Sequence, residues 1–233
     1  LMQDVVINAD LWGTTPEILS ANYGFEGIEG VPQGESNVIA AGGAWEHVTT
    51  SGASYAAFTT ASTPMDVAFG FGYATDHADA MPICFSWPVL PSTVNPSDFL
   101  LTLNTGEKVQ PEVASINPNF LYNKRSCVVI FGQFGNRLAP GTAGAIYPTN
   151  LEIIDKGTTL QLVGPDGPES AVGLSHACGN PYQVGGGPTL IGAKLSRMND
   201  VGQDAPEGFT ENIPNGGTAL YHENAQYRLR IYT

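Results

Sequence analysis

The chain has 233 residues, 42% of them hydrophobic, which suffices for one large domain with an ordinary buried core and argues against a disordered chain. Its 22 acidic residues against 9 Lys and Arg give a formal charge of -13, so nucleic-acid backbones and anionic lipid surfaces are repelled. No apolar run approaches the ~20 residues of a membrane-spanning helix. The opening Leu1-Met2-Gln3-Asp4 lacks the charged start of a signal peptide, so a soluble, already processed chain is expected.

Helical periodicity is sparse along the chain. Short helices are expected only near Thr15 to Ala21 and Ser97 to Thr102, each beside a proline and a Ser or Thr cap. Runs of alternating or β-branched residues predict strands at Val5 to Ala9, Val38 to Ala41, Trp45 to Thr49, Ala53 to Thr59, Val67 to Phe71 and Ile83 to Trp87. Further strands are predicted at Phe99 to Leu103, Cys127 to Phe131, Leu151 to Ile154, Thr159 to Val163, Gly192 to Leu195 and Tyr227 to Tyr232. They recur about every ten residues and are punctuated by Asn104-Thr105-Gly106, Asp155-Lys156-Gly157, Gly164-Pro165-Asp166-Gly167 and Asn215-Gly216-Gly217. That spacing is the pattern of antiparallel hairpins in a sandwich or barrel.

The cadence of residues 81 to 175 resembles an immunoglobulin-like β-sandwich of secreted or surface proteins. The whole chain, 1 to 233, is expected to form a single elaborated all-β domain. Cys84 and Cys127 lie in apolar segments and are candidates to pair across a sheet or between two sheets, with buried free thiols as the alternative. Cys178 is the odd cysteine. Low charge density, 28 Gly and 17 Pro add to the expectation of a secreted or cell-surface protein.

The chemistry most open to reading lies in Trp45-Glu46-His47, since the chain has four histidines and three tryptophans. On a strand, residues two apart share a face, so the indole and the imidazole of this tripeptide can converge on one ion, with Glu46 on the opposite face. Neutral imidazole is a common copper and zinc ligand. His77, in Thr75-Asp76-His77-Ala78-Asp79, is the preferred second ligand, and His176 and His222 are also eligible.

Trp45-Glu46-His47 is similar to the Trp-x-His element of the copper-binding surface proteins of methanotrophic bacteria, the MopE and CorA group. That resemblance implies copper capture or delivery rather than turnover, a Cu(I) site built from two histidines, and a tryptophan oxidised to kynurenine at Trp45. Asp200, Asp204 and Glu207, on a Gly-containing loop, offer hard oxygen donors for a structural calcium.

The main alternative is a carbohydrate- or small-ligand-binding β module, in which aromatics such as Trp12, Tyr23, Trp45, Tyr55 and Tyr73 supply a stacking surface. A hydrolase stands behind it: the sequence holds neither Gly-x-Ser-x-Gly nor His-Glu-x-x-His, and His176 with Cys178 is a poor dyad by spacing. The expected function is therefore non-enzymatic copper binding.

Overall fold

The computed structural model describes residues 4, 13–23, 25–47, 57–59, 61–117, 119, 125–178, 190, 192–197, 224 and 226–232. In chain order these form β1 (Ile18–Ala21), β2 (Phe25–Glu29), α1 (Glu35–Ala40), β3 (Trp45–His47), β4 (Ala57–Thr59), α2 (Pro64–Phe71) and β5 (Ala78–Phe85). There follow β6 (Phe99–Leu103), β7 (Lys108–Val109), β8 (Val113–Ser115), β9 (Cys127–Gly132), β10 (Pro148–Ile153), β11 (Gln161–Gly164) and β12 (Gly167–Ser170). The last are β13 (Ser175–Ala177), β14 (Gly192–Arg197) and β15 (Tyr227–Tyr232).

Two antiparallel sheets make the sandwich. One runs β1-β5-β9-β8, with β2 also paired to β5; the other runs β13-β10-β6-β7. Strand alternation sends Met81, Ile83 and Phe85 of β5 and Val128 and Ile130 of β9 inward, where they meet Phe99 and Leu101 of β6 and Leu151 and Ile153 of β10. All nine are 0% exposed, and each buried apolar side chain of this size contributes roughly 1.5–3 kcal/mol. The expected all-β sandwich is thus the observed architecture.

The outer face of the β5–β9 pair is covered as well. Register pairs Ala80 with Phe131, Pro82 with Val129 and Cys84 with Cys127 on that face. The two cysteines form a disulfide across neighbouring strands, within one sheet and not between the two. Their Cα atoms are 4.2 Å apart, the close spacing of a non-hydrogen-bonded antiparallel pair.

Pairs alternate along the ladder, so Pro82 is also non-hydrogen-bonded to β9 and its ring nitrogen points to the opposite edge. There the partner changes: β1 ends its pairing at Ile83 and β2 begins at Ala80. A proline can therefore sit inside a central strand without leaving a ladder acceptor unpaired.

Two sequence-predicted strands are helices. Val38 to Ala41 falls at the end of α1 and Val67 to Phe71 lies in α2. In α2 the decisive signal is at the start: Thr63 accepts from the Asp66 backbone N–H, the Asp66 side chain accepts from Thr63 N, and Pro64 opens the first turn. Conversely, the helix expected over Thr15 to Ala21 is replaced by β1, whose residues pair with β5. Of the helix expected over Ser97 to Thr102, a 3-10 turn at Pro96–Asp98 remains before β6.

Asn104-Thr105-Gly106 joins β6 to β7, and Pro165-Asp166 joins β11 to β12, as hairpins. Asp155-Lys156-Gly157 is no hairpin: it carries the chain from β10, in the second sheet, to β11, which pairs with β12. That turn is fixed from below by Asp98, which is 0% exposed. The Asp98 carboxylate accepts from the backbone N–H of Lys156 and of Thr158, each at 3.1 Å, and from that of Gly157.

Replacing Asp98 by Ala leaves three backbone donors of this turn without their acceptor. Urea unfolding of Asp98→Ala is expected to show a loss of roughly 3–5 kcal/mol, with Asp98→Asn intermediate. A loss below about 1 kcal/mol would show that the turn does not depend on this carboxylate.

Candidate ligand-binding site

Trp45 and His47 share a face of β3, as the spacing predicts, and that face looks toward α1. Trp45 packs on a small apolar cluster of Val31, Val38 and Ala41. His47 Nε2 lies 3.8 Å from Glu35 Oε2 in the first turn of α1, both side chains being exposed. His77 stands in the turn entering β5 with a positive φ of 49°, a conformation that histidine tolerates better than most residues. Its Nδ1 is 2.8 Å from Asp76 Oδ1.

Each of these two histidines thus has a carboxylate of its own. Among the described residues no three His, Cys, Asp or Glu side chains gather as a metal centre requires. Asp200, Asp204, Glu207 and His222 lie outside the described residues, as do Trp12 and Tyr55.

His176 is on β13 opposite Leu151 of β10, and Cys178 packs against the main core. Burial pushes the Cys178 thiol up to about 12, so at neutral pH it stays protonated and is a poor nucleophile or soft metal ligand. Two of the aromatics expected on a stacking surface are engaged elsewhere. Tyr23 is 1% exposed in the core, and Tyr73 donates its hydroxyl to Glu112 Oε2 at 3.2 Å, a hydrogen bond that raises the phenol above its ordinary value.

A concave site lies instead between α2 and the outer face of the first sheet. It is a pocket of about 480 Å³. Ala80 and Pro82 of β5 with Val129 and Phe131 of β9 line its apolar side, and Val67 and Phe71 line it from α2. The Phe71 and Phe131 rings are 4.5 Å apart at 59°, a tilted geometry that aromatic pairs favour.

The polar side of the pocket is carried by Glu29, Ser62, Asp66 and Asn117. Glu29 closes β2 and forms a parallel bridge with Ser62, held by Gly30 N and Val31 N donating to Ser62 O at 3.0 Å. Gly30 has φ 76° and abuts the Thr75 carbonyl, where a Cβ would overlap the oxygen, so the chain can leave Glu29 at this angle only with glycine.

Glu29 is 7% exposed. Desolvation pushes its carboxyl above the ordinary glutamate value, with the Ser62 hydroxyl partly opposing the rise. Asn117 is 5% exposed; its Nδ2 donates to the Gly70 carbonyl, which fixes the amide orientation and leaves Oδ1 a buried acceptor without a partner.

The sequence drew attention to none of these four residues, because they come from three separated segments and carry no motif spacing. The legible signals were local: Glu29 next to Ile28 and near Val31, and Thr63-Pro64-Met65-Asp66 as a helix start. No protein-family model, curated protein or solved structure shows a significant match to the chain.

The raised carboxyl of Glu29 has a defined stability sign. The folded state holds this proton more tightly than the unfolded chain, so its contribution is largest below the ordinary glutamate value and is lost as pH rises through the raised value. Thermal unfolding between pH 4 and 8 is expected to show Glu29→Gln removing a downward slope of at most about 1.4 kcal/mol per pH unit. An unchanged slope in that variant would mean that Glu29 is not the titrating group.

Proposed function

We propose that this chain is a non-enzymatic β-sandwich module that binds a small organic ligand in the pocket between α2 and the β5–β9 pair. The observation that carries the reading is a pocket of about 480 Å³, mostly apolar, into which one poorly solvated carboxyl is built. Small-molecule sites commonly have a volume of about 300–1,000 Å³, with apolar walls and few placed polar groups. The pocket supports this reading over a carbohydrate surface, since Tyr23 and Trp45, two aromatics expected on a stacking surface, pack inward instead. The Cys84–Cys127 disulfide supports an oxidising location, on the cell surface or beyond it.

Protein-observed NMR against a library of small amphiphiles tests this. Ligands are expected to shift amides of residues 67–71, 80–82 and 129–131, and Val129→Trp, which fills the pocket from its floor, is expected to abolish those shifts. Shifts that fall elsewhere, or that survive Val129→Trp unchanged, would overturn the reading.

A second reading, copper capture at Trp45 and His47, has one observation in its favour: a largely exposed imidazole on the same strand face as the indole, with the Glu35 carboxylate 3.8 Å away as an oxygen donor. Competition against a Cu(I) chelator is expected, on this reading, to show at least a ten-fold loss of affinity in His47→Ala and a smaller loss in His77→Ala. Equal copper affinity in wild type and His47→Ala removes it.

A further inference from the structure

The polar groups around the pocket share one property. Glu29 and Asp66 present carboxylates, Ser62 a hydroxyl whose hydrogen bond already goes to Glu29, and Asn117 an unpartnered acceptor. Asn117 Nδ2 donates one of its two hydrogens to the Gly70 carbonyl. Among the described residues that line the pocket there is no Lys, Arg or His. A ligand that brings donors and positive charge complements these acceptors and carboxylates.

The other buried acids show what Glu29 lacks. Asp98 accepts three backbone N–H groups. Asp79, 2% exposed, accepts from Gly27 N at 2.7 Å, Phe134 N at 2.6 Å and Gly135 N at 3.1 Å. Glu29 has the Ser62 hydroxyl alone as its identified partner in the pocket. Buried carboxylates are stabilised by cations or by several hydrogen bonds, and here the site is open to a cation from outside.

The apolar half of the pocket points the same way. Phe71 and Phe131 stand at 59°, an arrangement in which a ring face can stack with an apolar or aromatic body and attract a cation within about 6 Å. The net charge of -13 raises the local concentration of cations around the chain.

We propose that the pocket takes an organic ammonium: a primary or secondary amine, protonated, on an apolar or aromatic body, with the nitrogen at Glu29 and the body packed against the Phe71–Phe131 pair. Asp66, at the start of α2, adds a second negative charge on the same side. The proposal rests on the ligand-binding reading above and names the class of ligand.

A matched series tests it: phenethylamine, 2-phenylethanol and 3-phenylpropionate, titrated by NMR at pH 7.5 and low salt into wild type and Glu29→Gln. The amine is expected to bind at least ten-fold tighter than the alcohol, with shifts confined to α2, β5 and β9, and the carboxylate not at all. Glu29→Gln is expected to bring amine and alcohol within about two-fold of each other.

Between pH 7.5 and 5 the wild-type affinity for the amine is expected to fall as Glu29 takes up a proton. If alcohol and amine bind equally in this pocket, the ligand-binding reading stands and the ammonium class is overturned. If the amine strengthens as pH falls, Glu29 acts as a hydrogen-bond donor and the proposal is likewise overturned. If no member of the series shifts residues around the pocket, the ammonium proposal fails whatever the broader library gives. The wild-type series alone decides this, so it does not depend on how the variant folds.

Discussion

The β5–β9 pair is the element on which both the fold and the site depend. Its inner face supplies Met81, Ile83, Val128 and Ile130 to the sandwich core, and its outer face supplies Ala80, Pro82, Val129 and Phe131 to the pocket. Because side chains alternate with period two, a slip of one residue would exchange the two sets and put the proline and alanine side into the core. The Cys84–Cys127 disulfide lies in the same ladder and ties that register covalently. Closing a loop with a sequence separation of 43 is worth roughly 4 kcal/mol in the chain-entropy treatment, and here the cross-link lies in the same ladder that forms the floor of the pocket.

Among the described residues, three buried acids separate into two kinds by their partners. Asp98 and Asp79 each accept three backbone N–H groups and join segments far apart in sequence: Asp98 the turn at residues 156–158, Asp79 the β2 strand and the residues after β9. They are the internal braces of a protein with few charged residues. Glu29, at 7% exposed, is also buried but is bound by a hydroxyl, and desolvation dominates its proton affinity. A fold that can saturate two buried carboxylates with backbone donors has left the third without them, at the edge of a pocket. Groups whose burial is not compensated within the structure are where function is reasonably sought.

Much of the sheet architecture was legible because it depends on local alternation. Phe99–Leu103 and Tyr227–Tyr232 were predicted with the observed bounds, and the Cys127 strand to within one residue. Val67 to Phe71 misled because an apolar run of five reads as a buried strand until the preceding Thr63-Pro64-Met65-Asp66 is weighed as a helix start. Val38 to Ala41 misled for the same reason, with Gly34 and Glu35 as a weaker start. β2 escaped notice since its Gly27, at φ 62°, interrupts the alternation. The pocket was not legible at all: Glu29, Asn117 and Phe131 meet only through the pairings of β2 with β5, β5 with β9 and β8 with β9.

The Trp45-Glu46-His47 tripeptide shows the limit of a strand-face argument. Spacing placed the two side chains on one face, and the fold keeps them there. What lies opposite that face is decided by the chain that packs on it, and this is α1. Its Val38 receives the indole in an apolar cluster and its Glu35 meets the imidazole. Trp45 thereby has a packing role that needs no ligand, while His47 keeps an exposed ring beside a carboxylate. The same logic runs the other way at Glu29, which no motif announces: there the packing element is α2, and what it leaves uncompensated is a charge. Among the described buried acids the informative contrast is between the two that the fold saturates with backbone donors and Glu29, which it does not.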